Sequence, residues 1–101
     1  MKTYNVVEYS LEFRTNKGEN WTSEDIKQAF ENESIVEPRT LATFDNLEDA
    51  KKYFENCDPK WCEASTNDGY VLTGYIYGIE FEDEENDEFG ACDYKFGEFT
   101  N

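Results

Sequence analysis

Apolar and polar residues alternate strictly from Val7 to Arg14: Val7, Tyr9, Leu11 and Phe13 interleave with Glu8, Ser10, Glu12 and Arg14. A period of two predicts a strand with one wet face. The turn-forming run TNKGEN breaks that pattern. A helix is predicted next, over WTSEDIKQAF. Thr22 stands at the cap with Asp25 three residues on, a weaker form of the capping box, and Trp21 and Ile26 are spaced as a hydrophobic staple. Ile26, Ala29 and Phe30 share one helical face, and the helix is expected to end near Asn32.

The segment SIVEPRT reads as a connector, because Pro38 biases Glu37 towards extended backbone. A short strand, TLATF, follows. Asp45 is expected to open a second helix with Glu48 at the capping-box position, and Leu47, Ala50 and Phe54 mark its buried face. Pro59 cannot continue that helix. The remainder reads as antiparallel strands: Trp61–Thr66, a tight turn at Asn67–Gly69, a long strand over YVLTGYIYGIEFE, and a return over FGACDYKFGEF. In the long strand Val71, Tyr75, Tyr77, Ile79 and Phe81 fall on one face. Gly74 and Gly78 fall on the other with Leu72 and Ile76, which predicts a bend or the close approach of a helix.

The predicted order is strand–helix–strand–helix–strand–strand–strand. The economical solution is an α+β fold with a mostly antiparallel sheet of four to five strands and both helices packed on one face. The 101 residues suit a single domain, 1–101, and eight Phe, seven Tyr and two Trp give it a large burial payload.

Charge changes this picture of an ordinary small domain. The chain has 24 acidic and nine basic residues, no histidine, and a formal net charge of −15. Residues 80–101 alone carry nine acids and one base. Such a field repels nucleic acid and anionic membranes and attracts basic protein surfaces. A halophile's general acidity is the bland alternative, and seven lysines and three cysteines argue against it. No signal peptide or membrane span is expected from the N-terminal segment or from any apolar run. A cytoplasmic protein with reduced thiols is the resulting expectation.

Candidate chemistry is sparse. Without histidine the commonest general base and metal ligand are missing. Cys57, Cys62 and Cys92 are one ligand short of a structural zinc site and are expected as small, buried thiols. The GYIYG run lacks the lysine and spacing of a phosphate-binding loop. EDEENDE offers hard oxygen ligands but not the alternation and central glycine of a calcium-binding EF-hand loop. The expectation is a protein that is not an enzyme and carries no cofactor or metal.

What stands out is FEDEENDEF, with six carboxylates among the seven residues between Phe81 and Phe89. Side chains on one strand face are about 6.6 Å apart, so Glu80 and Glu82 should stand in a row. Asp83, Glu84, Glu85, Asp87 and Glu88 crowd the following turn. Glu8 and Glu12 form a second outward row, and the two rows could merge if their strands are neighbours. A spaced anionic array is what nucleic-acid-binding grooves recognise through lysine and arginine. The opposing reading is a solvated hairpin whose acidity discourages sheet-to-sheet association.

In size, charge and lack of catalytic motifs the chain resembles the small acidic proteins of phages and mobile elements, including anti-CRISPR proteins. That resemblance implies an inhibitor that mimics nucleic acid, bound to a basic channel or to arginines that read a protospacer-adjacent motif. The expected partner is then the basic surface of a nucleic-acid enzyme, with no direct binding of nucleic acid or membrane. The alternative is an adaptor that binds through Trp21, Trp61 or exposed tyrosines, its acidity serving only solubility.

Overall fold

The computed structural model describes residues 2–33 and 37–100. Seven elements follow along the chain: β1 (Lys2–Thr15), α1 (Ser23–Asn32), β2 (Arg39–Phe44), α2 (Leu47–Glu55), β3 (Trp61–Thr66), β4 (Gly69–Asp83) and β5 (Glu88–Lys95). Their order is the predicted one; residues 34–36 of the expected connector lie outside the described residues.

Two long strands form the spine. β1 and β4 pair antiparallel without interruption from Lys2↔Asp83 to Thr15↔Tyr70. β2 lies on the outer edge of β1 along Tyr4–Glu8. The far edge of β4 is shared: β3 takes Gly69–Gly74 and β5 takes Tyr77–Asp83. One extra residue bulges from each of two outer strands, Leu41 in β2 and Cys92 in β5, beside Val6/Val7 and Ile79/Glu80 respectively. Bulges at neighbouring levels increase the twist of the sheet there.

Successive strand residues point to opposite faces, and Val6 and Val7 are both buried. Val7 joins Tyr9, Leu11, Phe13, Leu72, Ile76 and Trp61 around Ile26 of α1. Val6 joins Ile79 around Ala50 and Phe54 of α2. The expected arrangement with both helices on one face therefore gives way to one helix on each. Two-sided burial follows from sequence: Tyr4 and Val6 supply apolar groups to the α2 face, where Val7, Tyr9, Leu11 and Phe13 supply the α1 face. Complete burial of a side chain such as Ile26 or Ile79 contributes about 1.5–3 kcal/mol.

Local chemistry fixes the helix ends. The Thr22 hydroxyl accepts from Asp25 N at 3.2 Å and the Asp25 carboxylate accepts from Thr22 N at 2.9 Å, the reciprocal box expected from sequence. α2 is capped one residue later than predicted, by Asn46, whose Oδ1 accepts from Asp49 N at 2.8 Å. Its last turn is closed from outside: Lys95 Nζ donates to the carbonyls of Phe54 (2.7 Å) and Cys57 (3.1 Å) and lies 4.7 Å from the Phe54 ring centroid. A cation at a helix C-terminus satisfies carbonyls that have no intrahelical partner. The C-terminal segment is tied back by Trp21 and Phe99, which exchange backbone hydrogen bonds of 2.8 and 2.9 Å.

Gly74 and Gly78 make room for aromatic rings rather than for a helix. A Cβ at Gly74 would lie 2.6 Å from the Trp61 ring, and one at Gly78 would lie 2.6 Å from the Tyr94 ring. Trp61 is held over Gly74 by its Nε1, which donates to Phe96 O at 2.7 Å. Overpacking a filled site costs about 1–3 kcal/mol. Gly74→Ala and Gly78→Ala should each lower the unfolding free energy read from urea titration by that amount, with the Trp fluorescence of the folded state altered most in the Gly74 variant.

Candidate acidic interface

The hairpin joining β4 to β5 is built by one of its own acids. Asp83 Oδ1 accepts from the backbone N–H groups of Glu85 (3.2 Å) and Asn86 (3.4 Å), and Oδ2 accepts from Asn86 Nδ2 at 2.8 Å. The Asn86 side chain is the largest cause holding the Asp83 carboxyl below its ordinary range. Asp87 then takes a left-handed φ of 51°, a conformation Asp tolerates better than most residues. Asp83 thus shapes the turn, and Glu82, Glu84, Glu85, Asp87 and Glu88 are exposed around it. The two bracketing aromatics diverge. Phe81 is half-buried over Gly90, with Lys2 Nζ 4.7 Å from its ring centroid, whereas Phe89, opposite Glu82, is 82% exposed.

Glu80 does not join an outward row. It lies on the α1 face and its Oε2 accepts hydrogen bonds from the hydroxyls of Tyr9 and Tyr94, the latter at 3.3 Å. Tyr9 also meets Phe30 of α1 edge-on at 5.1 Å. This carboxylate therefore links β1, β4 and β5 beneath the helix. Glu80 and Glu82 share a face as the alternation predicted, but only Glu82 is exposed.

The second row is also displaced. β1 and β4 are neighbours, yet Glu8 is opposite Tyr77 and Glu12 opposite Thr73. Direct antiparallel partners share a face, so Glu8 and Glu12 stand on the α2 face and Glu80 and Glu82 on the α1 face. The rows cannot merge. Glu8 is half-buried, with Oε1 3.9 Å from Arg39 Nε, and Glu12 is exposed beyond the reach of α2. The acidic surface is the hairpin itself, at the end of β1–β4 where Lys2 pairs with Asp83.

Other candidates resolve simply. Cys62 and Cys92 are exposed and Cys57 half-buried, all as free thiols, so the buried environment expected for them is not found. Among the described residues no three Cys, Asp or Glu side chains converge as a metal-binding group, and no helix is long and apolar enough to cross a membrane. Trp61 is buried, and Trp21 stacks on Phe13 at 5.5 Å, so neither tryptophan offers the open contact an adaptor would use. Comparison with protein-family models, curated proteins and solved structures finds no match.

The Asx turn has a sequence signal, Asp83 followed at three residues by Asn86. The Tyr9–Glu80–Tyr94 linkage has none, since its members are 71 and 14 residues apart. Three tyrosines should make the fold sensitive to alkali. Burial, then the Glu80 carboxylate, raises Tyr9 far above its ordinary value of 10. Burial foremost also raises Tyr94, and burial and then Glu8 push Tyr77 up to about 12. Above pH 10 the unfolded chain releases tyrosine protons that the folded chain retains, so stability is full below pH 10 and falls as pH rises towards 12. Urea midpoints between pH 9 and 11.5 should fall with a slope that Tyr9→Phe makes shallower.

Proposed function

We propose that the protein is a non-enzymatic acidic binding protein whose β4–β5 hairpin occludes a basic nucleic-acid-binding surface on a partner protein. The observation that carries this reading is the exposure of Glu82, Glu84, Glu85, Asp87 and Glu88 together at one tip of the molecule. They surround a turn whose geometry is set internally by Asp83. A turn held by its own side chain presents its carboxylates with less ordering cost on binding than a floppy acidic loop. The segment's one base, Lys95, is engaged with the end of α2, so it does not balance that charge.

The partner class is a protein with a lysine- and arginine-lined groove, for which an RNA-guided nuclease of the CRISPR type is a concrete case. Phe89 adds a feature that charge alone lacks. An exposed aromatic opposite Glu82 can stack on a guanidinium while the carboxylate pairs with it. The hairpin therefore suits arginine better than lysine. Of the aromatic residues the adaptor alternative would use, Trp61 is buried while Tyr53 and Tyr75 are exposed; Phe89, the most exposed of the rings, lies within the acidic surface.

The test spares Asp83, because replacing it would disturb the turn. The Glu82→Gln/Glu84→Gln/Glu85→Gln/Glu88→Gln variant should fold with an unchanged far-UV spectrum. Competition against fluorescent duplex DNA for a CRISPR effector nuclease, read by anisotropy, should show displacement by the wild type that weakens steeply from 50 to 200 mM salt. The variant should need at least tenfold more protein. Equal displacement by both proteins, or none by either across a panel of such effectors, would remove this reading.

A further inference from the structure

On the α1 face of the hairpin lies a cavity of about 290 Å³ whose walls include Glu80, Glu82, Phe89, Ala91 and Tyr94. The ladder brings these side chains together. Glu82 is opposite Phe89 and Glu80 is opposite Ala91, and direct antiparallel partners share a face. By alternation alone Tyr94 would point away from Phe89. The extra residue at the bulge, Cys92, returns it to the same side.

The walls differ in chemistry. Glu82 is exposed at the rim, whereas Glu80 is half-buried and its Oε2 is held by the hydroxyls of Tyr9 and Tyr94. Phe89 is exposed, and none of the described residues that line the cavity is basic. The other face of the hairpin is unlike this one, because there Lys2 Nζ already stands over the Phe81 ring.

We propose that this cavity receives the guanidinium of one arginine side chain from the partner, an inference that rests on the hairpin being the partner-binding surface. Its volume lies just below the ~300 Å³ at which pockets for small-molecule ligands begin, which suits a single side chain. A guanidinium makes use of every wall. Its plane stacks on Phe89 while its N–H groups donate to Glu82 and to Glu80, about 6.6 Å apart along one strand face. An ammonium has neither a plane to stack nor a rigid fork to lie between two carboxylates. A divalent cation is poorly served: it needs six or more oxygens, Phe89 supplies none, and among the described residues no metal-binding group converges. The tyrosines fix Glu80 in advance, so little of its freedom is lost when the arginine enters.

Nα-acetyl-arginine amide and Nα-acetyl-lysine amide carry the same single positive charge, so comparing them separates recognition from general attraction. Each is titrated to about 50 mM into isotope-labelled protein at a fixed ionic strength of about 0.15 M, where charges beyond ~8 Å are largely screened. Backbone amide shifts in the NMR spectrum are the readout. The arginine probe should move Glu82, Phe89 and Ala91 and bind at least fivefold more tightly than the lysine probe. Phe89→Leu, at an exposed position, should bring arginine to the lysine level. Glu80→Gln keeps an oxygen acceptor for Tyr9 and Tyr94 and should weaken the arginine probe at least threefold. Glu82→Gln should do the same, and it keeps the test decisive if Glu80→Gln unfolds. Equal binding of the two probes, arginine shifts centred on Glu84, Glu85 and Glu88 instead, or an unchanged preference in Phe89→Leu would each overturn the proposal. Arginine preference at the cavity without displacement of any effector by the hairpin would uphold the cavity and overturn only the partner class proposed above.

Discussion

Everything in this molecule is arranged around one pairing, the unbroken antiparallel ladder of β1 and β4. These strands sit at the centre of the sheet and are covered from different sides along their length: α1 over Val7–Phe13 and α2 over Tyr4–Val6. A strand covered on both faces cannot keep a wet side, and so Val6 and Val7, and likewise Gly78 and Ile79, are buried in succession. The ladder also dictates which acids can cooperate. Its register makes Glu8 and Glu12 neighbours of Tyr77 and Thr73, and a shift by one residue would have reversed every face.

That two-sided cover was partly written in the chain. From Val7 onward the period of two is clean and identifies a single wet face. One step earlier the parity changes, because Tyr4 and Val6 put apolar groups on the other side, and β4 carries apolar residues on both. An isolated alternating run argues for one covered face; apolar residues on both parities of one strand argue for two. The element order, the Thr22 capping box and the limits of β3 were legible because each depends on neighbours in sequence. The one-residue displacement of the second cap, from Asp45 to Asn46, is within what two adjacent capping residues allow.

Long-range relations were the part that could not be read. Gly74 and Gly78 announce a close approach, but whether a helix or a ring makes it depends on which strand lies alongside. Here β3 and β5 share one edge of β4, so each glycine receives an aromatic residue from a different neighbour, Trp61 on one and Tyr94 on the other. The same sharing brings Tyr94 to Glu80. Only a strand beginning after the acidic turn and returning along β4 can deliver that hydroxyl, which turns an apparent surface acid into a tie between three strands.

The charged residues of the C-terminal segment divide their labour by what each one touches. Glu80 is bound by two tyrosines, Asp83 by the turn it forms, and Lys95 by the carbonyls that end α2. These groups have definite work inside the fold, and charge would not need to be concentrated there to do it. Glu82, Glu84, Asp87 and Glu88 are exposed and crowd one tip at a cost in self-repulsion. A solvated hairpin needs polarity at such a tip, which Ser, Asn or Gly would supply without mutual repulsion. The partner proposed for this surface would bring the opposite sign to the carboxylates beside the exposed Phe89, which the folding of the chain alone does not supply.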